Sequence, residues 1–163
     1  MSLQLNELEA VLRQMLQEHQ KLLKHVEAHA DAMRHLDLKA MDDSARQQEA
    51  LRLRIMGLEN KRRAIVLGLA RLNKADHFLS VSQVAKLYPQ RQAALLKLRD
   101  ELMALISQIG NRLYVAGKLA GALLGHMNTV VRIVAAAVEG AGLYTKSGVP
   151  KVAARIGAMN ALG

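Results

Sequence analysis

Residues 5–36 read LNELEAVLRQMLQEHQKLLKHVEAHADAMRHL, and their spacing decides the fold. Leu5, Leu8, Leu12, Met15, His19, Leu22, Val26, His29, Met33 and Leu36 succeed one another by alternating steps of three and four. On a helix of about 3.6 residues per turn, that rhythm gathers them on one stripe, while the intervening Glu, Gln, Lys and Arg keep the other face wet. A single helix cannot hide its own stripe, so further helices must pack against it.

Working outward, MDDSARQQ (residues 41–48) interrupts the rhythm. Asp42, Asp43 and Ser44 are helix-capping side chains, and negative charge there suits the helix dipole. The first helix is therefore expected over about 3–37 and the second over 43–73. The second has its own stripe of Leu51, Ile55, Leu58, Arg62, Ile65, Leu69 and Leu72. Only Arg62 breaks its apolar character, and a long arginine can carry its charge to the edge of a core. NKADHFLSVSQVAKLYPQ (73–90) reads as a linker holding a short helix over 81–88, opened by Ser80 or Ser82 and closed before Pro89. A third long helix, about 90–139, starts on Leu95, Leu98, Leu102, Leu105 and Ile109. EGAGLYTKSGVP (139–150) stops it with glycines and Pro150. The expected fold is all-α: a long antiparallel helical hairpin with a third long helix packed along it, a coiled-coil-like bundle. Residues 1–139 would form the bundle domain and 140–163 a flexible C-terminal tail. A homodimer would serve the same need for cover.

Composition agrees with helices packing on helices. The chain is 51% hydrophobic but only 2% aromatic, so its core must come from Leu, Ala, Val, Ile and Met. Cysteine is absent, which excludes a disulfide framework and any cysteine metal site. The opening MSLQLNELEAVLRQ has no basic start followed by an apolar run, so no secretion signal is expected. The net charge of +9 is graded, from −1 over residues 1–40 to +3 over 41–80 and +7 over 81–163. Such a field attracts acidic partners in general and leaves nucleic acid, anionic lipid and acidic protein all open.

Little points to chemistry. His25 and His29 stand four apart on one helix, a spacing able to chelate a metal, but HVEAH lacks the glutamate placement of a zincin motif and His29 falls on the apolar stripe. There is no nucleophile elbow and no glycine-rich strand-to-helix loop, so neither enzyme activity nor a cofactor is expected. Lys61, Arg62 and Arg63 could meet phosphates, yet apolar neighbours and a single Phe in the whole chain favour a solvated helix face.

The segment NRLYVAGKLAGALLGHMNTVVRIVAAAV (111–138) is the most apolar. With His126 taken as neutral, the longest uncharged window in it runs only from 119 to 131, between Lys118 and Arg132, fewer than the roughly 20 residues a bilayer span requires. Leu119, Leu123, Met127, Val130, Val134 and Val138 project within about 100° of one another. Gly117, Gly121 and Gly125 gather opposite, each costing about 1 kcal/mol relative to Ala. The helix is worth forming only when its stripe is covered. That cover is either the first two helices or a partner's amphipathic helix. Because those helices span some 30 to 35 residues and the third approaches 50, its last third should overhang, which favours the partner.

Four runs belong together: the Leu- and Glu-rich first helix LNELEAVLRQMLQEHQKLL, the second-helix run EALRLRIMGLENKRRAIVLGLA, an Asn before a long apolar helix in LRDELMALISQIGNRLYVAGKLAGALL, and a Tyr-then-Gly tail, LYTKSGVP, at Tyr144 and Gly148. In these runs the chain resembles the FlgN family of flagellar export chaperones. The resemblance implies a small cytoplasmic all-helical chaperone. It would hold the C-terminal helical segments of hook–filament junction (hook-associated) proteins, prevent premature assembly and deliver them to the flagellar type III export apparatus. It would take no small-molecule substrate. It places client binding near the C-terminus, here Leu119, Leu123, Met127, Val130, Val134, Val138, Leu143 and Tyr144. The alternative is a structural coiled-coil module whose basic C-terminal half docks on nucleic acid or an acidic protein.

Overall fold

A computed structural model describes residues 2–75 and 77–140, with side chains from residue 3 to residue 137. Its described elements are four helices: α1 (Ser2–Arg34), α2 (Leu38–Leu72), α3 (Val81–Leu87) and α4 (Pro89–Gly140). By its internal contacts the chain divides into two units, Met1–Leu119 and Ala120–Gly163.

Within the first unit, α1 and α2 form an antiparallel hairpin. The side chain of Gln4 lies against Gly68, Arg54 approaches Glu18, and Gln48 donates to the His25 carbonyl at 3.2 Å. The opening segment of α4 runs beside α1 in the same direction, since Arg91 meets Glu9 and Arg112 meets Glu27. The main core lies where all four helices converge. Leu5, Leu8, Leu12 and Met15 of α1 meet Ile65, Val66 and Leu69 of α2, Val84 and Ala85 of α3, and Leu95 and Leu98 of α4. The connecting segment is part of this core rather than a mere link. Leu79, Val81, Val84, Ala85 and Tyr88 are buried, and Ser80 opens α3 with a reciprocal capping box to Gln83.

The hairpin turn corrects one expectation. α2 begins at Leu38, capped by Asp37, whose Oδ1 accepts from the Ala40 amide at 2.9 Å. Asp42, Asp43 and Ser44 are thus already helical. Asp42 pairs with Arg46 at 2.8 Å, and Ser44 is buried in the hairpin. The cap moves forward because α1 closes in a Schellman motif. The Asp37 amide donates to Ala32 and the Leu36 amide to Met33, with Leu36 at φ 54°. Leu36, expected on the stripe, is therefore an exposed turn residue. Leu72, expected on the second stripe, is also exposed, at the last turn of α2. Of the expected flexible tail, residues 141–163 lie outside the described residues.

Candidate functional site: the uncovered apolar helix

The polar groups singled out in the sequence are engaged inside the bundle. The Met41 carbonyl accepts from Ser44 Oγ at 3.0 Å, so the His29 Nδ1 proton has two acceptors, Ser44 Oγ at 2.8 Å and Met41 O at 3.1 Å. His29 thus pins the start of α2 to α1. His19 is buried, with Nδ1 2.7 Å from the Met15 carbonyl. Among the described residues, no group of three His, Cys, Asp or Glu side chains could hold a metal ion.

The basic cluster on α2 is partly neutralised. Arg62 makes a two-pronged contact with Glu59, 2.7 Å on each arm, and Arg63 Nε adds a third bond at 2.8 Å. Arg62 also stands 5.9 Å over the Phe78 ring. The Arg62 hydrogen bond above all holds the Glu59 carboxyl down at about 2. Only Lys61 of the three cations is left without such a partner among these contacts, so the cluster is a poor phosphate cradle.

α4 behaves differently along its length. Leu95, Leu98, Leu102, Ile109 and Ala116 are buried. α1 ends at Arg34, which shares a cleft with Arg112 and Val115. In the second unit, every described side chain from 124 to 137 is exposed. Leu119 and Leu123 of the expected stripe are partly buried, whereas Met127, Val130 and Val134 are exposed. The side chain of Val138, together with Leu143 and Tyr144, lies outside the described residues. Leu124, Val131 and Ile133, which the angular reading of the stripe passed over, are equally exposed. Leu124, Met127, Val131 and Val134 keep a strict three–four spacing that could have revealed Leu124 and Val131, whereas Ile133 lies off it.

So much uncovered hydrocarbon raises the question of a membrane. An 18-residue window of α4 passes as a span by length and composition, with none of it buried. Yet the charge-free stretch from 119 to 131 is only about 20 Å long at the helical rise, short of the roughly 30 Å of a hydrocarbon layer. Charges at Lys118 and Arg132 would bound it on both sides.

Among the described residues the chain is helical, and α4 leaves its apolar side chains exposed from 124 to 137. A family model described as FlgN protein matches residues 1–151, and the chain belongs to that family, one of flagellar export chaperones. No curated protein and no solved structure matches it.

Proposed function

We propose that this chain holds the amphipathic C-terminal helix of a hook–filament junction protein on the exposed part of α4. There it masks the client's apolar stripe and passes it to the flagellar type III export apparatus from the cytoplasm. The observation that carries this reading is the unbroken exposure of residues 124–137 in a chain of this family. Each Leu, Val, Ile or Met that a client helix buries there returns about 1.5–3 kcal/mol at full burial, enough for several such residues to outweigh the cost of association. Binding of the native-like client segment lowers its free concentration, so assembly before export is suppressed by mass action. No covalent chemistry is required.

The test is capture of soluble C-terminal fragments of junction proteins by the full chain, read by calorimetry. Micromolar or tighter binding is expected, lost in Leu123→Asp and Val130→Asp. Absence of capture by the wild-type chain, or unchanged binding by both variants, would defeat the reading. The Asp variants also separate it from the basic-module alternative, which expects DNA or heparin retention indifferent to them.

A further inference from the structure

The face of α2 that points away from α1 carries a row of its own. Leu53, Gly57, Asn60, Ala64, Leu67 and Arg71 follow one another by alternating steps of four and three, opposite the buried Leu51, Ile65 and Leu69. All six are exposed. Leu53, Leu67 and the adjacent Met56 keep 51%, 43% and 51% of their surface open. Cations line both sides of the row. At about 100° per residue, Arg52 and Arg63 fall on one side and Arg54 and Lys61 on the other, and all four are exposed. The one acidic residue between Leu53 and Arg71, Glu59, projects beyond Arg63 and is already held by Arg62 and Arg63. Glu49, at the N-terminal end of the row, is held by both arms of Arg52 at 2.9 and 2.8 Å. Across residues 49–74, seven Lys or Arg stand against these two Glu.

We infer that this outward face of α2 seats on the surface of an anionic lipid bilayer, a property separate from client holding. An apolar row between two cationic margins suits a helix lying in a membrane interface. Its apolar side chains dip below the headgroups, while the long cationic ones reach out to the lipid phosphates. A single phosphate needs a clasp, and Arg62 and Arg63 are too engaged with Glu59 to form one. A bilayer surface needs only net charge and reach, because its negative potential draws every nearby cation. From Leu53 to Arg71 the row runs about 27 Å, so several headgroups are met at once. A helical partner suits the face less. In a coiled-coil seam Gly57, Asn60 and Ala64 would fill three successive core positions and supply no large apolar knob. Duplex nucleic acid would gain nothing from Leu53, Met56 and Leu67.

Vesicle flotation with the full chain tests the inference. It compares pure phosphatidylcholine with phosphatidylcholine carrying about a third phosphatidylglycerol, at about 50 mM and about 500 mM salt. At low salt the anionic vesicles should bind at least about tenfold tighter than the neutral ones, and high salt should weaken that binding about tenfold. Lys61→Glu/Arg71→Glu should weaken it by about tenfold or more, and Leu53→Ser/Leu67→Ser by about tenfold. All four residues are exposed, so both variants should melt as the wild type does. Val131→Asp, on the exposed part of α4, should leave vesicle binding unchanged. Equal binding to the two vesicles, or binding to neither, would overturn the inference. So would loss in Val131→Asp with both α2 variants unaffected, which would make α4 the lipid-seeking surface. Binding indifferent to Leu53→Ser/Leu67→Ser, or tighter binding to duplex DNA than to anionic vesicles, would reduce the effect to attraction for any polyanion and overturn it equally. Capture of client fragments is read in a separate assay, so either reading can fail without the other.

Discussion

Arg91, two residues into α4, reaches back to the buried Glu9 on α1, with Nη1 3.2 Å from its carboxylate oxygen Oε1. Its second arm donates to Asn6 at 2.8 Å, and Arg13 approaches the other Glu9 oxygen at 3.5 Å. This clamp fixes where α4 starts along α1, eighty-two positions away in sequence. Arg91→Ala should therefore cost about 1–2 kcal/mol, more than a surface pair, because Glu9 keeps only the longer contact to Arg13. Urea denaturation of the two proteins measures it. Glu9→Gln with Arg91→Ala should cost less than Arg91→Ala alone plus Glu9→Gln alone, since the two act as one unit.

Acid should loosen the α2 surface at Glu59. Its carboxyl is held at about 2 against an ordinary 4.5, chiefly by the Arg62 hydrogen bond. A depressed carboxyl contributes stability that is fully present above about 4.5 and is lost as pH falls toward 2. Glu59 and Arg62 are part-buried and Arg63 is exposed at the helix surface, so screening limits the effect to about 1 kcal/mol. Stability measured between pH 6 and pH 3, where every other titrating group is common to both proteins, should fall less in Glu59→Gln than in the wild type.

The first helix was legible in the sequence because its stripe is buried at Leu5, Leu8, Leu12, Met15, Val26 and Met33. The stripe failed at Leu36 for a local reason: a Schellman turn puts that residue at positive φ, which periodicity does not encode. The same turn makes Asp37 the cap in place of the equally suitable Asp42, Asp43 and Ser44. Val81, Val84, Ala85 and Tyr88 show a helical apolar spacing, but a seven-residue helix is too short for its burial to be read before its neighbours are known. On α4 the difficulty is the opposite. Where Leu124, Val130, Val131, Ile133 and Val134 are all apolar, periodicity alone does not tell a covered face from an open one, and only their exposure distinguishes this stretch from core.

Two turn residues should tolerate glycine with profit. Leu36 at φ 54° and Lys74 at φ 50° occupy the left-handed region, where a Cβ costs about 1 kcal/mol or more. Both are exposed, so little packing is lost. Leu36→Gly and Lys74→Gly should each leave stability unchanged or raise it by up to about 1 kcal/mol, the entropy of the unfolded glycine offsetting part of the gain. Thermal melts suffice to check both.

Gly121 and Gly125 should behave in the free protein as pure helix penalties. A Cβ added at either meets nothing within 4 Å. Gly121→Ala and Gly125→Ala should each favour the helix by about 1 kcal/mol. Amide exchange across residues 120–137 should slow in both, while the hairpin core, anchored on Leu8 and Leu69, exchanges as before.

The sharpest contrast is between Leu69 and Val131. Leu69 is fully buried at the centre of the helical core, and truncating it removes transfer energy and leaves a cavity. Leu69→Ala should cost about 2–5 kcal/mol. Val131 is among the most exposed apolar residues of α4. Val131→Asp removes no internal contact and should change the unfolding free energy by about 0.5 kcal/mol or less. If α4 is covered by a client helix, the order inverts in a binding assay. Val131→Asp then buries an unpaired carboxylate and should weaken capture by about a hundredfold, whereas Leu69→Ala, wherever it remains folded, binds normally. Denaturation and calorimetry on the same two variants separate the residues that hold this fold from those that hold its partner. Equal effects of both variants in both assays would mean that scaffold and docking surface are not distinct.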